Sequence, residues 1–152
     1  MKFQLRTKND YPLFEVTSAF QKSVRRGLEE EAMYWAMEME EKYHAYLWKR
    51  VTVIASEDIG LADNGIAILI SSLKANYEEA KKKDRDERLL FVSHAVLALC
   101  RSQKSREVDE FIHHYIINHT SLYKTPEEKS MPEFAYDKHT AKGKRMGKGM
   151  AH

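Results

Sequence analysis

The chain has 152 residues, 43% hydrophobic and 32% charged, a length and balance that favour one globular domain and exclude a disordered polyelectrolyte. The formal net charge of +2 does not by itself call for a polyanionic partner, and the single cysteine, Cys100, excludes an intrachain disulfide and suits a reducing, cytoplasmic setting. No run approaches the roughly 18 apolar residues of a membrane span, and residues 1–6 are not followed by the apolar core of a signal peptide, so no membrane partner is expected.

Residues 1–15, with Pro12 and mixed charges, read as an extended lead-in. Val16, Ala19, Phe20 and Val24 then recur at helical spacing, with Thr17 or Ser18 as cap and Gly27 as stop. A second helix is expected over 29–43, with Ala32, Trp35, Ala36 and Met39 as its apolar stripe. The glutamates at 29, 30, 31, 38, 40 and 41 read as an acidic patch. A third helix carries Tyr46, Leu47, Arg50, Val51 and Ile54, and ends at Ser56-Glu57-Asp58 with Gly60 as a left-handed cap. Asp63 or Asn64 can cap a fourth helix running from Ile66 to about Lys81, and the charged run 81–88 reads as a solvated turn. A fifth helix over 87–101 is nearly all apolar between Leu89 and Cys100, which marks it as the central, most buried one, with Cys100 as a small core hydrophobe. A sixth, after Ser105, carries Phe111, Ile112, Tyr115 and Ile116. Pro126, Pro132 and three late glycines make 121–152 an irregular basic arm. No segment alternates long enough to be a strand. The expected fold is all-α: an antiparallel bundle of about six helices over 16–120, followed by that arm.

Tests for chemistry are largely negative. The run Gly143-Lys144-Arg145-Met146-Gly147-Lys148-Gly149 lacks the hydroxyl residue that a nucleotide-binding Walker loop needs after its lysine, and follows no strand. One cysteine excludes the usual zinc fingers, and the adjacent His113 and His114 point to different helix faces. Glu41-Lys42-Tyr43-His44 and Glu110-Phe111-Ile112-His113 are Glu-x-x-His turns of the kind a di-metal carboxylate bundle uses, and they keep such an enzyme as the alternative reading. A chain this rich in glutamate supplies such turns by chance, and no inward glutamates stand out on the other stripes. Ser56-Glu57-Asp58 reads as a helix-ending polar corner that braces the fold, with Arg50 as its partner, in preference to an acid–base pair. No catalytic residue, metal or cofactor is expected.

Phe20-Gln21-Lys22-Ser23-Val24-Arg25-Arg26-Gly27, then Ala32-Met33-Tyr34-Trp35, then the stretch from Ile54 through Ser56-Glu57-Asp58-Ile59-Gly60 to Asp63, form a pattern. It resembles the C-terminal helical domain of the replication-associated recombination AAA+ ATPases, the bacterial relatives of the Werner-helicase-interacting protein. That domain is similar to the oligomerising collar of clamp-loader subunits. The resemblance covers about 18–120, with Lys104-Ser105 matching a Lys-Ser turn before the last bundle helix and the basic arm only loosely comparable. It implies a collar without its ATPase module, of a kind that would suit a phage or mobile-element genome: self-association, or docking onto a replication or repair protein such as a separate AAA+ ATPase. A second expectation is DNA binding through Lys22, Arg25 and Arg26 and through Lys138, His139, Lys142, Lys144, Arg145 and Lys148 of the arm.

Overall fold

The computed structural model describes residues 4–119, 129–145 and 147. The chain forms two compact units, Met1–His113 and His114–His152. Among the described residues there are six α-helices, and the only β feature is an isolated bridge between Arg6 and Pro12. The fold is all-α.

Helix α1 runs Leu13–Arg25 and buries Leu13, Val16, Phe20 and Val24, one stripe at three- and four-residue spacing. It starts earlier than the cap expected at Thr17 or Ser18. Pro12 supplies the N-cap instead, and the Thr17 hydroxyl turns back to donate to the Leu13 carbonyl at 2.9 Å. Gly27, at φ +67°, closes it: Gly27 N–H donates to Val24 O at 3.0 Å and Leu28 N–H to Ser23 O at 2.9 Å, the paired bonds of a Schellman cap.

The expected second and third helices are one. Helix α2 runs Glu29–Ile54, and Tyr43 (φ −122°, ψ 39°) kinks it without ending it. Between Leu28 and Gly60 there is neither glycine nor proline, so nothing stops the helix. Its first part buries Ala32, Ala36 and Met39, its second Leu47, Trp48, Val51 and Ile54. Trp48, 2% exposed, is core, whereas Trp35 is half-buried against Tyr11 and Tyr34. Helix α2 packs on α1, on α3 (Ile66–Lys82) and on α4 (Arg88–Arg101), so it is the central helix, a place the sequence pattern had suggested for α4. Helix α4 buries Val92, Ala95, Val96, Leu99 and Cys100 but exposes Leu90 and Leu97. Burial pushes the Cys100 thiol above its ordinary pKa, which leaves it protonated and inert.

After Ile54 the backbone widens into a π-turn, Ala55–Ile59, then tightens into a 3-10 turn, Gly60–Ala62. The wider turn carries both Asp58 and Ile59 inward, each 0% exposed. Gly60 adopts φ +48°, ψ −122°, a region open essentially to glycine and outside the left-handed helical cap expected there. A Cβ at Gly60 would also meet Val108 Cγ2 at 3.1 Å. Helix α3 follows, N-capped at Gly65, whose N–H donates to Asp63 Oδ1 at 3.1 Å.

Helix α5, Glu107–His119, spans the join of the two units and has no buried residue. In the second unit a 3-10 turn, Glu133–Ala135, precedes the short helix α6, Ala141–Arg145, where an irregular arm was expected. Thr140 starts α6 by accepting from Gly143 N–H at 2.9 Å.

Candidate functional site

The Ser-Glu-Asp corner is a network of charges. Asp58 accepts from Arg25 Nε at 2.7 Å and from Gln21 Nε2 at 2.8 Å, both on α1. Glu57 accepts from the same Gln21 amide at 3.0 Å and from Arg25 Nη2 at 3.4 Å. Arg106, just ahead of α5, brings its Nε to 3.7 Å from Asp58 and its Nη2 to 3.8 Å from Glu57. The Asp58 carbonyl accepts from Ser105 N–H at 2.8 Å. Arg106 also bonds Asp109, holding that carboxyl below its ordinary pKa. A buried carboxyl group is costly unless paired and hydrogen-bonded, and Asp58 has both kinds of partner. At 0% exposure its carboxylate does not face solvent.

Arg50, the expected partner, does not reach this cluster. Its role falls to Arg25 and Arg106, while Arg50 Nε is buried with no hydrogen-bond partner. Ser56 points to solvent. A pair across 33 positions of sequence cannot be read from local spacing. The one signal available was that Gln21 and Arg25 sit one turn apart on the same helix.

The acidic patch also resolves differently. Glu38 and Glu40, 1% and 2% exposed, point inward. Glu38 accepts from Thr7 Oγ1 at 2.7 Å, from Asn9 N–H at 3.2 Å and from the Asn9 amide, and so holds the N-terminal loop. Glu40 accepts from Tyr77 Oη at 2.8 Å and Arg88 Nε at 2.7 Å. Burial raises the Glu40 pKa, but the Arg88 and Tyr77 bonds together outweigh it and hold it below the ordinary value. Burial, then the bond to Glu40, pushes the Tyr77 hydroxyl far above its own. Arg88, read as part of a solvated turn, is thus a core tie. The spacing Ala32, Ala36, Glu40 was the available signal. Glu29 is tied to Arg101 Nε at 2.6 Å, which holds its carboxyl low.

Helix α5 presents apolar residues to solvent. Val108, Phe111 and Ile112 are 37%, 69% and 46% exposed, and Phe111 and Val108 line a shallow cavity of about 180 Å³ with Leu61. The sequence pattern placed Phe111, Ile112, Tyr115 and Ile116 on a bundle helix, but none of them is buried. A family model described as MgsA AAA+ ATPase C terminal matches residues 29–152. The chain belongs to this family. As an MgsA-type C-terminal module it is a helical unit of the AAA+ C-terminal class, and the match takes in the basic arm as well as the bundle. Helix α1 lies ahead of the matched residues, yet supplies Phe20, Val24 and Arg25 to the module's core and corner.

The cations of this module fall into two groups. Lys22 and Arg26 are exposed on α1, and Arg25 is committed to Asp58. In the second unit Lys138 is half-buried, and His139, Lys142, Lys144 and Arg145 are exposed. Lys142 Nζ sits 4.5 Å over the Tyr136 ring, and His139 N–H donates to Asp137 Oδ1 at 2.8 Å. Lys148 lies outside the described residues. Among the described residues no three His, Cys, Asp or Glu side chains gather as metal ligands, and Glu41 and Glu110 of the two Glu-x-x-His turns are both exposed. No helix among them is long and apolar enough to cross a membrane.

Proposed function

We propose that the chain is a non-catalytic oligomerisation and interaction module of AAA+ ATPase biology, working in DNA replication, recombination or repair. The observation that carries this reading is α5, a thirteen-residue helix with no buried residue that shows Val108, Phe111 and Ile112 to solvent. Apolar side chains grouped on one helix mark an association surface. The occupant proposed is a second copy of this chain, as in the collars that the sequence resembles. A replication or repair protein, such as an AAA+ ATPase, is the other partner class. The exposed Lys22 and Arg26 in the first unit, and separately the cations of the second unit, each supply positive charge that favours DNA backbone nearby. The lone buried Cys100 suits work in a reducing, cytoplasmic compartment.

The test is molar mass by light scattering over a range of concentrations. The intact chain runs above the mass of one copy, and Phe111→Glu, which places a charge in the apolar face without touching the core, returns it to one. An intact chain with the mass of one copy throughout removes self-association from the proposal.

A further inference from the structure

The groove between α1 and the second half of α2, a cavity of about 310 Å³, has an unusual lining. Ser18 and Lys22, one turn apart on α1, face Tyr46 and Arg50, one turn apart on α2, and no carboxylate lines it. The donors there are unspent. Lys22 makes no ion pair among the described residues, and the hydroxyls of Ser18 and Tyr46 make no hydrogen bond among them. Arg50 Nε is buried without an acceptor. A buried guanidinium N–H with nothing to donate to has lost its water without replacement, and such a group calls for a missing acceptor. Gln21 and Arg25 also line it, and both are occupied by Glu57 and Asp58. Phe14, 68% exposed, packs edge-on to Tyr46 with ring centroids 6.2 Å apart and walls one side of the groove.

We propose that this groove binds a phosphate group. The planar fork of Arg50 can take two oxygens of a tetrahedral anion at once, Lys22 adds a point charge at the mouth, and the two hydroxyls can donate to the remaining oxygens. The aromatic wall of Phe14 and Tyr46 leaves an apolar side for the organic part of a phosphate ester. The phosphate comes from a nucleic-acid backbone or from a small phosphate compound. The first source rests on the DNA reading above; the site itself does not.

The experiment titrates inorganic phosphate into the full chain at constant ionic strength, with chloride as the control, following the Arg50 side-chain Nε–H and the backbone amides of Ser18 and Lys22 by NMR. Saturable shifts with phosphate and none with chloride are expected. Arg50→Met and, separately, Lys22→Met should each weaken binding about tenfold, the worth of one charge-assisted bond. Lys22 is exposed, so its variant keeps the test open if Arg50→Met misfolds. A second titration uses a short single-stranded oligothymidine. If it moves the same resonances and competes with phosphate, the source is backbone phosphodiester. If phosphate saturates the groove and the oligonucleotide leaves it unmoved, the source is a small phosphate compound. Phosphate shifts no larger than those of chloride overturn the proposal. The mass of the chain in light scattering is a separate readout, so failure here and failure of self-association are told apart.

Discussion

Asp58 and Arg50 show how two charged groups of similar promise in the sequence part company in the fold. Asp58 is wholly buried and needs Arg25, so Arg25→Met leaves a buried charge short of its closest cation and should cost about 3 kcal/mol in urea unfolding, at the low end for a broken buried pair because Arg106 remains. Arg50→Met removes a guanidinium whose Nε bonds nothing among the described residues, and should leave the unfolding midpoint unchanged or raise it. The reverse order would reinstate Arg50 as the brace of the corner. Glu40 makes a pH prediction. Its folded pKa is lowered, so its contribution is full above the unfolded carboxylate value of about 4.3 and is lost as pH falls through the folded one. The stability gap between the parent and Glu40→Gln should therefore be widest near neutrality and close below about pH 4. A gap that widens on acidification would mean that Glu40 is protonated in the fold. Neither Asp58–Arg25 nor Glu40–Arg88 was legible beforehand, since each joins side chains 33 and 48 positions apart.

Elements were read more surely than their partners. The stripe Ile66, Ile70, Leu73, Tyr77 set α3 within one residue of its observed end, and α4 begins one residue from where its apolar run suggested. The apolar stripe of α2 breaks around Tyr43, and periodicity alone cannot tell a kink from an end. Helix α5 was recognised as a helix, but an apolar face says which side seeks cover and not whether this chain covers it. The turn between α2 and α3 depends on Gly60, whose backbone angles exclude other residues and whose missing Cβ leaves room for Val108 of α5. Gly60→Ala should lower stability by about 1–3 kcal/mol, measured by thermal or urea unfolding. An unchanged midpoint would show that this turn relaxes freely.

At the scale of the whole molecule, the first unit is a bundle closed by core packing and by carboxylates at Glu38, Glu40 and Asp58 that stitch loop, helix and turn together. Its polar corner is a brace, and its unsatisfied surface lies elsewhere, on α5 and in the cationic groove between α1 and α2. Membership of the MgsA AAA+ C-terminal family agrees with the resemblance carried by Ala32-Met33-Tyr34-Trp35 and the Ser-Glu-Asp corner, and extends it through the arm. The most direct measurement is amide hydrogen exchange across residues 107–113 as a function of protein concentration. Protection there that rises with concentration, and is lost in Phe111→Glu while the core of α2 and α3 stays protected, is what the account predicts. Exchange across 107–113 that is fast and the same at every concentration, in a chain whose core is intact, would contradict it.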